Sequence, residues 1–480
     1  MAERPAIVWF RNDLRTEDNP ALHAARETGA PVIPIYILDK DIAHFPGAAS
    51  LWWLHHSLSS LAGDLKNAGA KLIYRSGKSA DVLKSLVKET NAEHVFWNRR
   101  YYAKHVEIDK DLKSDLKAGG VAVETFNGTL LREPWEVETA SGGPYRVYTP
   151  FWKALKQLGP ARAHMRPNLR KIVGPANPPK SEKLASWNLL PVNPDWATEI
   201  AETWSPGEQG ARDRLNHFLN DNINDYADGR DRPDKDFTSR LSPHLSFGEI
   251  GPLQIWSAVH DKMADGKVSD KAAMKFLSEV AWRDFSYNLL FYNDDLPDKP
   301  LRENFANYPW RDDRDGLKAW RKGETGYPIV DAGMRQLWRT GWMHNRVRMI
   351  VASFLIKDLL IPWQKGEAWF WDTLVDADLA NNSASWQWVA GCGADASPYF
   401  RIFNPVSQGE KFDPEGQYVR EFVPELKNLP AKYIHAPWKA PESVLEEADI
   451  VLGKSYPNPI IDHAKARERA LEGYKEIKSA

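Results

Sequence analysis

Residues 376–401 concentrate side chains that need polar partners once they are buried. The stretch includes a pair of carboxylates, a pair of adjacent amides, a pair of indoles and a closing group of two aromatic rings and one guanidinium: Asp376, Asp378, Asn381, Asn382, Trp386, Trp388, Tyr399, Phe400 and Arg401. An ordinary core segment carries few such groups, because each costs free energy when it is buried without a partner. The alternative interpretation is a polar loop between helices, anchored by the two indoles.

A second dense stretch precedes the first. Residues 342–349 read WMHNRVRM and combine an indole, an imidazole, an amide and two guanidinium groups. Two such stretches in one region indicate a large planar ligand with a charged, hydrogen-bonding edge. A flavin or a nucleobase has this profile.

A third stretch, residues 236–243, reads DFTSRLSP and places three hydroxyls and one arginine just before a predicted helix. Ser242 followed by Pro243 predicts an N-cap with proline at the first helical position. Hydroxyls and free backbone N–H groups at a helix N-terminus bind phosphate, so a cofactor with a diphosphate bridge would use this site. The spacing of Ser246 and Glu249 predicts a capping box and no further role.

Composition limits the class of protein. A chain of 480 residues is too long for one ordinary core and predicts two domains. The net charge of −2 excludes a generally basic nucleic-acid coat, so DNA binding would need a local patch. One cysteine, Cys392, excludes an internal disulfide framework. The sequence shows no signal-peptide apolar region and no membrane-spanning run, and we expect a cytoplasmic protein that contacts no membrane.

The N-terminal quarter alternates apolar strands with helices. The predicted strands are Ala6–Phe10, 32–39, 71–74, His94–Asn98 and 121–126. Strands alternating with helices predict βαβ units, and so an α/β domain with a doubly wound parallel sheet. The first strand is followed by RNDLR, not by GxGxxG, so a standard dinucleotide site is not supported there.

Further along, the regular pattern dissolves and prolines cluster, which predicts a long connector with one short helix at 151–158. The chain then becomes helical, with predicted segments at 208–221, 252–263, 271–290, 328–338, 344–359 and 367–373. We therefore expect an α/β domain at 1–130, a connector at 131–205 and an all-α domain at 206–480.

Taken together, these motifs resemble the DNA photolyase and cryptochrome family over nearly the whole chain. The matching stretches, in order, are IVWFRNDLRTEDNPAL, TSRLSPHLSFGEI, EVAWRDF, GYPIVDAGMRQLWRTGWMHNRVRMIVASFL, DADLANNSASWQWVAG and YFRIFNP. The resemblance implies a C-terminal helical domain that holds a bent FAD. It also implies light-driven repair of cyclobutane pyrimidine dimers (CPDs) by electron transfer from reduced FAD, as in bacterial enzymes of class I or III.

The resemblance assigns cofactor contacts by motif position. They are Tyr226, Thr238, Ser239, Leu241, Ser242, Phe276, Glu279, Arg283, Trp342, Asn345, Arg348, Asp376, Asp378 and Asn382. Arg348 and Asp376 would form an ion pair beside the isoalloxazine, and the Asn382 amide would face flavin N5. An arginine there balances the charge of the reduced anionic flavin, and its aspartate partner fixes the geometry. Phe276 departs from the family, in which tryptophan is frequent at this position.

The substrate contacts also follow from the resemblance. Photolyases are among the base-flipping enzymes, so the dimer would leave the duplex and enter a pocket. Glu279, Asn345, Met349 and Asn382 would act on the flipped dimer. The DNA-binding residues would be two aromatic walls and three phosphate-binding arginines: Trp282, Trp388, Arg230, Arg346 and Arg401.

Three further tryptophans match the family's electron-transfer chain between the protein surface and the flavin: Trp310, Trp363 and Trp386. A second, light-harvesting chromophore is frequent in the family. Folate (MTHF) is favoured here over deazaflavin, although Lys104 and His105 stand about where folate-type enzymes carry an Asn-Glu pair. No metal site is predicted, and the protein is expected to be a monomer that binds ultraviolet-damaged DNA.

Two other functions remain open at the level of sequence. The first is a cryptochrome, an FAD blue-light photoreceptor without repair activity; the dimer-pocket residues argue against it. The second is a dark flavin oxidoreductase, which is disfavoured because no NAD(P)H site or catalytic thiol is evident. A (6-4) photoproduct enzyme would need a proton donor over the lesion. That branch has histidines where this chain has Asn345 and Met349, so we expect CPD repair alone.

Overall fold

The computed structural model describes residues 4–166, 171–396 and 400–479. Within these ranges, no helix is both long and apolar enough to cross a membrane. The same ranges contain no group of three or more His, Cys, Asp or Glu side chains arranged to hold a metal ion. Tyr399, in the first stretch of polar and aromatic residues, lies outside the described residues.

The N-terminal region is built on a five-stranded parallel sheet. Its strands are β1 (Ala6–Phe10), β2 (Val32–Leu38), β3 (Ile73–Ser76), β4 (His94–Asn98) and β5 (Ala122–Phe126). The strand order is β3-β2-β1-β4-β5, with β1 in the centre and buried at every position. The connecting helices are α1 (Pro20–Glu27), α2 (Ala48–Ala68), α3 (Ser79–Thr90) and α4 (Ala103–Ala118). The predicted doubly wound parallel sheet is confirmed.

The predicted strand bounds agree best with the observed bounds where the strand is buried on both faces. β1 and β4 have their predicted bounds, because their apolar runs end at polar residues. β3 was predicted at 71–74 but lies two residues later, because Ile73 to Ser76 pair with Ile35 to Leu38 of β2. Pairing with β2 sets where β3 begins and ends, and the local sequence does not reveal this pairing.

The connector contains two regular helices, α5 (Tyr148–Leu158) and α6 (Thr198–Thr203). A single turn precedes α5 at Pro134–Glu136 and another lies at Leu184–Trp187. Elsewhere its described residues are irregular, as the proline pattern predicts. The domain bounds 1–130, 131–205 and 206–480 remain a proposal.

The C-terminal region is helical. Its helices are α7 (Glu208–His217), α8 (Ile223–Gly229), α9 (Ser242–Ser246), α10 (Pro252–Ala264), α11 (Asp270–Tyr292), α12 (Arg314–Lys322), α13 (Pro328–Thr340), α14 (Asn345–Ser353), α15 (Trp363–Thr373), α16 (Leu379–Ala390), α17 (Pro405–Phe412), α18 (Gln417–Phe422), α19 (Glu442–Glu447) and α20 (His463–Ser479). Wider π-type turns at Phe218–Asn222 and Phe354–Asp358 extend α7 and α14. The predicted all-α domain is confirmed.

Helix α16 rules out the alternative interpretation, a polar loop, for Leu379–Ala390 within this stretch. Asp378 is its N-cap and accepts a hydrogen bond from the Asn381 N–H, 2.9 Å away. Gly391 ends the helix with φ of +92°, a conformation that glycine adopts without strain. The amides and indoles of this stretch therefore lie on a helix, which fixes their directions.

Two capping predictions were wrong. Ser242 is the first residue of the five-residue helix α9, and Leu241 is its N-cap. The Ser246 hydroxyl donates to the Ala377 carbonyl, and Glu249 is buried against His244 and Trp53, so these two residues form no capping box. A local sequence pattern cannot reveal these partners, which come from distant segments.

Glu208, the first residue of α7, joins the helical region to the loop after β1. Its buried carboxylate accepts hydrogen bonds from the Thr16 N–H and hydroxyl, both at 2.9 Å, and from the Glu17 N–H at 3.0 Å. One side chain therefore satisfies three donors of the N-terminal region.

We expect Glu208→Ala to lower the free energy of unfolding by about 3 kcal/mol, because buried donors lose their acceptor. Urea denaturation followed by circular dichroism measures the change. Glu202→Ala, at an exposed position of α6, is the matched control. Equal stability of the two variants would contradict the role of Glu208.

Candidate active site

An ion pair between α14 and the turn before α16 frames the candidate site. Arg348 Nη2 lies 2.8 Å from Asp376 Oδ2, and its Nε donates to the Met343 carbonyl at 2.7 Å. The Asp376 side chain is buried, and its Oδ1 has no hydrogen-bond partner within the protein. The pair predicted from sequence is therefore formed, and one carboxylate oxygen is left for a ligand donor.

Asp378 is committed to its own helix. Oδ1 accepts from Asn381, and Oδ2 accepts from the Tyr287 hydroxyl at 2.6 Å. A carboxylate with both oxygens engaged is better suited to fixing α16 than to direct contact with a cofactor. Its predicted cofactor contact stays a prediction.

Asn382 lies one turn into α16 and is oriented by a residue that sequence reasoning missed. Its amide nitrogen donates to the main-chain carbonyl and to Oε1 of Glu367, at 3.1 and 3.0 Å. Glu367 Oε1 also accepts from the Ser383 hydroxyl at 3.3 Å. With its donor end held by α15, Asn382 keeps its carbonyl oxygen for a ligand.

Burial raises the pKa of the Glu367 carboxyl to about 7, against the pull of its hydrogen bonds from Ser383 and Asn382. A carboxyl that titrates near neutral pH beside a candidate catalytic amide is a functional signal. In the sequence, Glu367 stands in the helical run GEAWFWD, and nothing there marks it.

Trp342 and Ser242 contact each other in the site predicted to bind the diphosphate of the cofactor. Trp342 Nε1 donates to the Ser242 hydroxyl at 3.3 Å, and the Arg240 guanidinium lies 5.2 Å from the Trp342 ring centre. Arg214, also missed from the sequence, donates to the main-chain carbonyls of Ser239 and Thr238 at 2.9 and 3.1 Å. It holds the hydroxyl-rich turn in place from α7.

Two of the predicted cofactor contacts, Phe276 and Tyr226, belong to a cluster of three aromatic rings. Phe276 packs against Tyr226 and Phe218, with ring centres 5.4 and 4.6 Å apart, and all three rings are buried. Phenylalanine at position 276 therefore fills a tight cluster. A larger indole would need these neighbours to move.

Arg283 points toward the N-terminal region. Its Nη1 donates to the Thr129 carbonyl at 2.6 Å, and its guanidinium lies 4.8 Å from the Tyr287 ring centre. It thus reaches the same tyrosine that Asp378 binds.

Two cation–carboxylate pairs lie on the face assigned to DNA. Arg230 forms an ion pair with Glu279, which also accepts from Lys275 at 2.9 Å. Arg346 Nη2 lies 2.8 Å from Asp231 Oδ2. Glu279 therefore contacts cations within the protein, and would have to share or exchange them to bind a base.

Trp282 stacks face to face on Tyr148 of α5, with ring centres 3.8 Å apart and planes 12° apart. Tyr148 was not predicted from sequence to belong to the site. On the other wall, the Arg401 guanidinium lies 5.9 Å from the Trp388 ring centre. Each predicted aromatic wall thus has a neighbour that supports it.

Asn345 and Met349 occupy successive turns at the start of α14, and Asn345 is exposed. His344 is the buried N-cap of this helix, and its Nδ1 accepts from the Arg346 N–H at 3.2 Å. Burial lowers the pKa of His344 to about 3, so its imidazole is neutral at neutral pH. The His344 imidazole is thus buried, whereas Asn345 is exposed.

The predicted electron-transfer tryptophans differ in burial. Trp363 and Trp386 are buried, whereas Trp310 is half-buried against Tyr308. Trp386 contacts the buried Trp320 edge to face, with ring centres 6.3 Å apart. Trp320 was missed because it lies in α12, for which no helix was predicted.

Comparisons with known proteins define the class. The DNA photolyase family model matches residues 6–168, and the model for the FAD binding domain of DNA photolyase matches residues 276–476. The chain is 54% identical to the deoxyribodipyrimidine photo-lyase of Agrobacterium fabrum, over 99% of this chain and 98% of that protein. Cryptochrome-1 of Arabidopsis thaliana is 40% identical, over 99% of this chain and 71% of its own length.

A solved structure agrees with these matches. The crystal structure of a class III photolyase from Agrobacterium tumefaciens superposes with a TM-score of 0.97 at 52% identity, covering 100% of this chain and 99% of that one. The chain therefore belongs to the DNA photolyase and cryptochrome family. FAD is the cofactor of its helical region.

The raised pKa of Glu367 predicts a pH dependence. Because its folded-state pKa lies above the ordinary value of 4.5, the contribution of Glu367 to the free energy of unfolding is largest below about pH 4.5 and falls as the pH rises to about 7. Glu367→Gln should remove this loss. The free energy of unfolding of the variant, relative to that of the wild type, should therefore rise by about 1–3 kcal/mol between pH 5 and pH 8. Thermal unfolding at the two pH values measures the effect.

Glu472→Gln, at an exposed position of α20, serves as the control for that pH series. If Glu367→Gln keeps the same pH slope as this control, Glu367 does not titrate in the proposed range.

Proposed function

We propose that this protein is an FAD-dependent photolyase that repairs cyclobutane pyrimidine dimers in DNA under blue light. One structural observation carries the proposal. The Arg348–Asp376 pair keeps one buried carboxylate oxygen without a protein partner, and the Asn382 amide, which Glu367 orients, follows six residues later on α16. A cationic group and a fixed amide are what an anionic flavin ring requires.

The residues present fit FAD. Asp376 Oδ1 offers an acceptor to a ring N–H, and Arg348 supplies positive charge near it. Ser242 and the turn held by Arg214 supply hydroxyls and main-chain N–H groups for the diphosphate. Reduced FAD, when bound, supplies the light-excited electron that opens the dimer and accepts its return. The ion pair and the amide hold the ring and tune its charge.

For the substrate, we propose that Trp282 and Trp388 stack on the flipped dimer, with Asn345 and Met349 completing its pocket. The stack of Trp282 on Tyr148 supports this, because it fixes one face of the indole and leaves the other for a base. Arg230, Arg346 and Arg401 would bind phosphates flanking the lesion. Since the whole chain carries a net charge of −2, such binding depends on this local patch.

The lesion type follows from the proton chemistry of the pocket. Opening a cyclobutane dimer needs an electron and its return, whereas a (6-4) product also needs a proton donor. Asn345 and Met349 are not useful acids, and His344 is buried, neutral and engaged as an N-cap. We therefore expect repair of cyclobutane dimers and none of (6-4) products.

The experiment uses oligonucleotides that carry one defined lesion, with the FAD-loaded protein chemically reduced and exposed to blue light or kept dark. Light-dependent loss of the cyclobutane dimer, with the (6-4) product unchanged, is the expected result. Repair of neither lesion would favour a photoreceptor of the cryptochrome type. Repair in the dark would contradict a light-driven mechanism.

A separate prediction concerns Trp386. Trp386→Phe keeps most of the packing against Phe370 but removes an easily oxidised indole. Photoreduction of oxidised FAD should slow sharply, while repair by chemically reduced enzyme should persist. Absorbance during blue illumination measures the first rate. Trp256→Phe, on α10, is the control, and unchanged photoreduction in Trp386→Phe would place the electron path elsewhere.

We also propose a second, light-harvesting chromophore, with folate favoured over deazaflavin. A cavity of about 190 Å³ lies between the sheet and the helical region. Four buried polar atoms in its lining residues have no partner within the protein: Trp9 Nε1, Arg11 Nε, Asn98 Oδ1 and Tyr102 Oη. Orphaned polar groups around aromatic walls indicate a planar heteroaromatic ligand. His105 also lines this cavity.

Reconstitution with methenyltetrahydrofolate or with a deazaflavin tests the proposal by near-ultraviolet absorbance and by energy transfer to FAD. Tyr102→Phe, which removes only the unpartnered hydroxyl, should weaken folate retention and leave FAD content unchanged. Trp338→Phe is the control, because Trp338 is an exposed indole, stacked on Trp369, that is not among the lining residues of the cavity. Loss of folate in the control alone would contradict binding in the cavity.

A further inference from the structure

A second cavity, which shares only Arg99 with the lining of the chromophore cavity, lies at a junction of three segments. It is bounded by the loop after β5, by residues 160–166 of the connector and by the start of α10. Its volume of about 190 Å³ is far above the ~10–15 Å³ that a single water molecule requires. A small ion or a compact organic molecule therefore fits.

The lining is strongly cationic. Among the described residues, four arginines line the cavity, Arg15, Arg99, Arg162 and Arg166, and Asp18 is the one carboxylate in that lining. Arg162 binds Asp18 through both terminal nitrogens, at 2.7 and 2.9 Å. Arg99 binds Glu133, which lies outside the lining, at 2.6 and 2.7 Å. Two of the four charges are therefore compensated by close carboxylates.

Arg15 has no such partner within hydrogen-bond distance. Its guanidinium is fully buried and donates to three neutral main-chain carbonyls, those of Gly248, Asp18 and Gly128, at 3.0, 3.1 and 2.7 Å. Its Nε is buried and unpartnered. The carboxylates of Asp18, Asp13 and Glu208 act on Arg15 from beyond hydrogen-bond distance, and burial still lowers the pKa of Arg15 below its ordinary value. A buried cation whose direct contacts are all neutral is costly, and an anion in direct contact would reduce that cost.

The positive charge of Arg166 also lacks a close carboxylate partner. The carboxylate paired with it, that of Glu27, lies 3.9 Å away on an exposed side chain, and Arg166 Nε is buried without a partner. Arg166 is about one-third exposed, so it stands at the mouth of the cavity, whereas Arg15 lies at its base. Two guanidinium groups thus remain available to one ligand.

Helix α10 adds positive potential at the same place. Its N-cap Gly251 packs directly on Arg15, since a Cβ on Gly251 would lie 3.0 Å from Arg15 Nη2. The positive end of a 13-residue helix dipole beside a buried guanidinium is unfavourable by itself. An anion between them would turn this repulsion into attraction.

We propose that this cavity binds a phosphoryl dianion, either free phosphate or the terminal group of a small phosphate monoester. Arg15, Arg166 and the start of α10 hold the charge. The remaining walls are largely apolar and accommodate the organic part of an ester: Pro20, Phe126, Leu130, Leu131, Pro160 and Pro252. Because the walls come from three segments, the ligand links the sheet, the connector and the helical region.

Isothermal titration of the FAD-loaded protein with inorganic phosphate and with ribose 5-phosphate, at constant ionic strength, tests the proposal. Saturable binding is expected for at least one of them. Arg166→Gln should weaken it about tenfold, equivalent to about 1.4 kcal/mol. Arg26→Gln, which removes an exposed arginine of α1 outside the lining, should bind as the wild type does.

Tighter binding of ribose 5-phosphate would assign the site to a monoester, and equal binding would assign it to free phosphate. Ribose alone should not bind. Light-dependent repair by Arg166→Gln should be unchanged, since the residue lies outside the flavin and DNA sites. Absence of saturable binding by both probes, or equal affinities for Arg166→Gln and the wild type, would overturn the proposal.

Discussion

The ion pair between Arg348 and the buried Asp376 is the constraint on which the proposed catalytic region depends. It connects the start of α14 to the turn before α16, the two segments that carry the chemistry-bearing side chains. Arg348 is also bound to the Met343 carbonyl, so its guanidinium cannot turn away. Asp376 keeps one oxygen without a protein partner. A buried charge pair that is only partly satisfied is costly, and a polar, charged ligand removes that cost.

Around this pair, each candidate residue is held by a neighbour with a structural role. Glu367 orients Asn382, Asp378 fixes α16, and Tyr148 supports Trp282. On the face proposed to bind DNA, Arg230 and Arg346 are already paired with carboxylates within the protein. This pairing keeps the cations in place and limits non-specific attraction to DNA, which agrees with a nearly neutral chain.

The sequence predicted most of the architecture, and the reasons for the exceptions are physical. β1 and β4 had clear bounds because they are apolar and buried on both faces. Helix α16 was not predicted because its amides and indoles lack an apolar period; the cap at Asp378 and the stop at Gly391 were the available signals. The Arg348–Asp376 pair was predicted by resemblance, whereas Glu367, Arg214 and Tyr148 were missed because only tertiary packing brings them to the site.

The bound FAD content of Arg348→Met, compared with wild type and with the double variant Arg348→Met/Asp376→Asn, tests the central claim most directly. The single variant leaves a buried carboxylate unpaired, so it should lose FAD and about 3–5 kcal/mol of stability. The double variant removes that charge and should regain stability without regaining FAD. If Arg348→Met retained FAD and repaired dimers at the wild-type rate, the pair would not be the element that holds the flavin.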